Sequence, residues 1–150
     1  MTRSILGVIG AGLADEETNR MAEEVGRLIG GSALMICGGL GGVMEAAARG
    51  AKGAGGTTVG ILPGSGTRDA NAWIDIPVAT GMGEARNMVI VRTADALIAV
   101  GGEYGTLSEI AFALKAGKPV IGLRTWDIPG VIKADDAADA VRKVFSALQP

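Results

Sequence analysis

A chain of 150 residues with 48% hydrophobic and 20% charged side chains suits one folded domain over residues 1–150, with no need of a stapling disulfide or metal. The absence of histidine and the single cysteine, Cys37, exclude imidazole catalysis, the usual zinc sites and an internal disulfide. A net charge of −2 gives no general pull on nucleic acid, and no apolar run approaches the ~20 residues of a membrane span.

In chain order, residues 4–10 form a short apolar run closed by Gly10, which reads as a buried strand, and a loop follows to Asp15. Residues 16–29 place Met21, Val25, Leu28 and Ile29 at helical spacing, and Gly30 and Gly31 stop that helix. A strand over 33–37 and the connector Gly38-Gly39-Leu40-Gly41-Gly42 lead to a helix over 43–52. A third strand spans 57–63, and residues 64–72 are the most loop-like stretch. Residues 74–78 read as an edge strand, because Pro77 cannot donate to a ladder. A helix over 83–94 precedes the clearest strand, 96–100, which Gly101 and Gly102 close. The helix over 106–116 shows Leu107, Ile110, Ala111 and Leu114 on one face. A strand over 120–123 follows, and the last helix, 137–148, buries Ala140, Val141, Val144, Phe145 and Leu148.

Continuous apolar strands alternating with amphipathic helices predict an α/β fold: a single-domain, Rossmann-like, doubly wound parallel sheet with helices on both faces. Ligands of such sheets bind at the carboxyl ends of the strands, where the strand order reverses. Glycines cluster at those ends, after Ile9, Cys37, Leu62 and Val100. About half of the 25 glycines are assigned to close packing of small residues, and the rest to tight turns or ligand approach. The N-terminus, from Met1 to Ile5, lacks signal-peptide architecture, so a cytoplasmic location is expected.

Gly10-Ala11-Gly12 begins like a dinucleotide fingerprint, but Asp15 stands where the third glycine belongs, and Cys37-Gly38 ends the second strand where an acidic residue is needed. No Walker pattern is present. Gly101-Gly102-Glu103-Tyr104-Gly105-Thr106-Leu107-Ser108-Glu109 says more. It follows a strand and opens a helix, so free N–H groups and the helix dipole converge on one anion-sized spot. Thr106-x-x-Glu109 also fits a capping box, although capping alone leaves three glycines in five residues unexplained. Arg86, beside Asn87, can clamp a phosphate or simply sit in solvent. Cys37 reads as a small buried hydrophobe rather than a nucleophile, since no base accompanies it.

The segment Val100 to Glu109 resembles the Pro-Gly-Gly-x-Gly-Thr-x-x-Glu motif of the Lonely Guy phosphoribohydrolases. The chain is more similar still to the bacterial relatives of molybdenum cofactor carrier proteins. That resemblance includes Cys37-Gly38-Gly39-Leu40-Gly41-Gly42-Val43-Met44-Glu45, Gly60-Ile61-Leu62-Pro63 and Gly83-Glu84-Ala85-Arg86-Asn87, and covers the chain from Ile5 to about Trp126. It implies homo-oligomers and a phosphorylated small-molecule ligand, and the apolar content of the chain independently leads us to expect a homodimer or homotetramer, joined through helices such as 43–52 and 83–94. In the hydrolases the motif glutamate contacts ribose and an Arg-Lys pair supports glycosidic cleavage. Here Glu109 and Arg86 match, but Asn87 replaces the lysine and Val100 the motif proline.

The candidate ligand-binding set is therefore Gly10, Gly12, Gly39, Gly41, Arg86, Asn87, Gly101, Gly102, Gly105, Thr106 and Glu109. Glu109 and Arg86 would be catalytic only in a hydrolase. No metal site is expected and no cofactor is required, with molybdenum cofactor or a nucleotide as the expected bound molecule. The leading expectation is a carrier-like binding protein. The alternatives are a hydrolase of nucleoside 5′-monophosphates and a regulatory nucleotide sensor. A pyridoxal-phosphate decarboxylase is rejected.

Overall fold

Side chains along the central strands divide by parity. On β5 (Ala96–Val100), Ala96, Ile98 and Val100 face one helical layer and Leu97 and Ala99 the other, and all five are buried. A strand buried on both sides needs apolar residues at every position, which is why this run does not alternate with polar ones. The computed structural model describes residues 3–150, so Met1 and Thr2, the first of the N-terminal residues on which the cytoplasmic expectation rests, lie outside it.

The remaining strands are β1 (Ile5–Gly10), β2 (Leu34–Cys37), β3 (Thr58–Leu62), β4 (Ile76–Ala79), β6 (Val120–Leu123) and β7 (Ile132–Lys133). The helices are α1 (Glu16–Gly30), α2 (Val43–Gly53), α3 (Arg86–Thr93), α4 (Tyr104–Lys115) and α5 (Ala137–Ala147). All pairings are parallel, in the order β4-β3-β2-β1-β5-β6-β7 among the described residues. The helices α1, α2 and α5 cover one face, with Val25, Ala47 and Val144 in the core, and α3 and α4 cover the other with Ile90, Val91 and Ile110. The protein is the Rossmann-like α/β domain that its apolar runs predict.

Small residues bring α1 and α2 unusually close. A Cβ added at Gly26 would lie 1.9 Å from the Ala47 carbonyl oxygen, and one at Gly50 would lie 1.9 Å from that of Glu23. Glycine at both positions is thus a packing requirement of this seam. The seam also accounts for α2, whose apolar residues are buried inside the chain and offer no spare face to a partner.

The structure corrects three details of the sequence reading. The segment 83–94 is not one helix but a 3-10 turn over Gly83–Ala85 followed by α3. The helix expected to start at Thr106 begins two residues earlier, at Tyr104. Gly101 (φ 57°) and Gly102 (φ 102°) turn the chain, leaving Tyr104 and Gly105 free to enter the helix. Its buried face is Thr106, Glu109, Ile110 and Ala113, rotated from the apolar stripe so that two polar side chains point inward, and Ala111 is exposed. The two-residue β7 is too short to leave a periodic signal.

Candidate functional site at the strand-order switch

From β1 the chain winds toward β4, and from β5 it winds the opposite way, so the crossovers diverge between these adjacent strands. A cavity of about 460 Å³ opens there, at the carboxyl ends of the strands. This is where the backbone of a doubly wound sheet leaves a crevice.

The helix ends around the cavity differ from those elsewhere. Asp15 caps α1 by accepting the Thr18 N–H at 2.7 Å, and Asp136 caps α5 by accepting from Asp139 N–H at 2.8 Å. The starts of α2, α3 and α4 carry no side-chain cap. The open starts of α2 and α4 contribute to the cavity wall through Met44 and through Gly105 with Thr106, whereas α3 continues from the 3-10 turn, whose carbonyls accept the Arg86 backbone N–H, and adds Arg86 and Asn87 to the wall. Unsatisfied N–H groups and aligned dipoles at such ends favour a bound anion.

Arg86 is buried beside them. Its Nε donates to the Ile61 carbonyl at 2.8 Å, Nη2 to the Gly38 carbonyl at 3.4 Å, and Nη1 to Asn87 Oδ1 at 2.5 Å. Of five guanidinium N–H bonds, three are thereby used, and the other two make no hydrogen bond among the described residues. Burial lowers the affinity of this guanidinium for its proton, and the nearby Glu109 partly offsets that effect. Asn87 therefore orients Arg86 instead of supplying a second cation.

Glu109 lines the cavity one turn beyond Thr106, with 7% of its surface exposed. Burial pushes its carboxyl up to about 8, with Arg86 pulling the other way. At neutral pH the carboxyl is mostly protonated, so it can donate a hydrogen bond and does not repel an anion. A capping role is absent, because Glu103 is the N-cap residue and Thr106 already lies within the first turn.

Of the residues singled out in the sequence, Gly10, Gly12, Arg86, Asn87, Gly105, Thr106 and Glu109 all line this cavity. Gly39, Gly41, Gly101 and Gly102 stand outside its wall. Gly39 has φ 77° and packs on Leu62, and a Cβ at Gly41 would lie 3.2 Å from the Gly12 carbonyl oxygen. The Gly101 N–H donates to the Leu123 carbonyl at 2.9 Å, and its carbonyl accepts from Thr125 Oγ1 at 2.5 Å. A Cβ at Gly102 would lie 2.4 Å from Thr106 Oγ1. These four shape the loops that the others present.

Gly105 is different. Its φ is ordinary and an added Cβ would meet nothing within 4 Å, so the fold alone does not require glycine there. Sequence reasoning missed Leu40, Met44, Glu84 and Glu103, which also line the cavity. Met44 was legible as the first turn of a helix following a glycine loop, whereas Glu84 carries no pattern of its own. Cys37 lies behind the site with its thiol raised to about 11 by burial, a core residue and not a nucleophile. Among the described residues no group of carboxylates and thiols is arranged to hold a metal ion directly, and no helix is long and apolar enough to cross a membrane.

The family model for the SLOG cluster4 family matches residues 3–150. The chain belongs to the SLOG cluster4 family. This SLOG cluster4 protein is 58% identical over 121 residues to an uncharacterized protein of Archaeoglobus fulgidus, covering 79% of each chain. Its structure is similar to that of the molybdenum cofactor binding protein from the phototrophic bacterium Rippkaea orientalis, with a TM-score of 0.94, 37% identity and 99% of both chains covered. It is also similar to the molybdenum cofactor carrier protein of Chlamydomonas reinhardtii, with a TM-score of 0.88, 38% identity, and 97% of this chain and 98% of that one covered.

Proposed function

We propose that this protein binds a phosphorylated, molybdopterin-type cofactor in the cavity between β1 and β5 and carries it chemically unchanged. The observation that supports this reading most is the convergence of two uncapped helix starts, those of α2 and α4, on one cavity, beside a buried arginine with two unused N–H bonds. The phosphate would sit against the first turn of α4, with Gly105 leaving room for it, Thr106 adding a hydroxyl and Arg86 adding charge. The cofactor fits this chemistry as cargo. A doubly charged phosphate requires donors and tolerates a protonated Glu109, and the pterin brings its own ligands for the metal. The likeness to structures of molybdenum cofactor binding and carrier proteins supports the same reading.

The hydrolase reading asks more of these residues. An anionic Glu109 would have to stabilise a cationic ribosyl centre, yet its carboxyl is mostly neutral at pH 7. A second cation beside Arg86 is replaced by Asn87, which accepts from that arginine. A nucleotide could still occupy the phosphate subsite without being cleaved.

We further place the protein in the cytoplasm as a homodimer or homotetramer. Exposed Ile76 and Val78 on the β4 edge support the assembly, which light scattering would test. The experiment for the carrier reading is mass spectrometry of ligand released by denaturing protein purified without oxygen. A phosphorylated pterin supports it. Robust base release from nucleoside monophosphates, lost in Glu109→Gln, would establish the hydrolase instead.

A further inference from the structure

The chain holds only five aromatic residues, and two of them pair where α4 begins. The rings of Tyr104 and Trp126 lie with centroids 5.8 Å apart and planes inclined by 30°. Trp126 is fixed, because its indole N–H donates to the Glu103 carbonyl at 3.1 Å. Neither ring belongs to the cavity wall, but Tyr104 stands at its rim between Glu103 and Gly105, both of which line it, and is itself 78% exposed. It is the first residue of α4, where side chains lean toward the helix N-terminus, here the carboxyl edge of the sheet where the cavity opens.

Leu13 is 92% exposed and lines the same cavity from the loop after β1, the strand adjacent to β5. Apart from the contact of Tyr104 with Trp126, both side chains are left bare, one after β1 and the other after β5. A planar heterocycle attached to an anion held at Gly105 and Thr106 would cover both.

The geometry points to a ring-binding subsite in which the planar ring system of the ligand stacks on Tyr104, backed by Trp126, with Leu13 closing over the mouth. This rests on the anion-binding reading above and assigns the ring end of the ligand, which that reading leaves open. The platform is sequence-tolerant in the chemical sense: any fused aromatic heterocycle has a π-face to offer. Selection among rings would then come from the polar atoms of Glu84, Glu103 and Glu109, which also line the cavity.

The test uses the whole chain in a Trp73→Phe background, so that Trp126 is the sole indole, and titrates a phosphorylated pterin and inorganic phosphate separately. The pterin should quench Trp126 emission and phosphate should not. Tyr104→Ala should weaken pterin binding about tenfold, the scale expected for one stacked ring, while Tyr104→Phe stays within about twofold and phosphate affinity is unchanged in both. Unchanged pterin binding by Tyr104→Ala overturns the subsite and leaves the carrier reading intact. Equal loss of pterin and phosphate overturns it too, as does a change of oligomeric mass without a change in pterin affinity, which would make the aromatic pair a contact between copies of this chain. Binding of neither ligand by the parent protein overturns both readings.

Discussion

The α1–α2 seam and the start of α4 are both built on glycine, for opposite reasons. At Gly26 and Gly50 an added methyl would collide with a backbone carbonyl of the facing helix, so glycine there lets two helices touch. At Gly105 an added methyl would meet nothing, although glycine in a helix costs about 1 kcal/mol relative to alanine. Open space alone is no signal, since Gly31, Gly53 and Gly66 have it too, but at Gly105 that space belongs to the cavity beside an open helix start. The helix ends repeat the contrast. The starts of α1 and α5 are closed by Asp15 and Asp136, while those of α2 and α4 are left open where they meet the cavity.

That contrast breaks most visibly under substitution. Gly26→Ala should destabilise the protein by about 3 kcal/mol, because the helices must separate to admit the methyl, and the melting temperature reports it. Gly105→Ala should instead raise stability by up to about 1 kcal/mol while weakening phosphate binding measured by calorimetry. Gly102 is a poor probe of the site, since its positive φ and its contact with Thr106 make any side chain there a disturbance of the fold.

Glu109→Gln sharpens the comparison through pH. A carboxyl raised from 4.5 to about 8 in the folded state favours folding fully below pH 4.5, and that contribution declines as pH rises toward 8. The glutamine variant lacks this decline, so its melting temperature should exceed that of the parent protein by about 3 °C or more at pH 8.5, with a smaller difference at pH 5. Phosphate affinity of the parent should fall as pH passes 8, where ionised Glu109 repels it, and that fall should vanish in Glu109→Gln. The smallest effect belongs to the caps. Asp15→Ala should cost about 1 kcal/mol without touching ligand binding, whereas Glu103→Ser should add a cap of similar worth and compete with phosphate for the same N–H groups.

The sheet was legible because its strands are buried on both faces, and a continuous apolar run such as 96–100 has few other uses. The site was legible in outline for a related reason: Gly101, Gly102 and Gly105 crowd one strand-to-helix junction. What the sequence does not carry is which of those glycines turns the chain and which makes room, because φ and neighbouring atoms decide that and residue type does not. The inward rotation of α4 was hidden too. Leu107, Ala111 and Leu114 advertise an apolar face, and only the cavity explains why Thr106 and Glu109 are buried in their place. Arg86 left its role open, since a surface arginine and one tied to the Ile61 and Gly38 carbonyls look alike in one dimension.

The most direct test is a paired measurement on Gly105→Leu: calorimetric binding of a phosphorylated pterin alongside the melting temperature. A melting temperature no lower than that of the parent, with affinity lost by about a hundredfold or more, is the predicted result, since the side chain would fill space the fold leaves empty. Full affinity retained in a folded variant would contradict it, because the ligand could not then lie against the open start of α4.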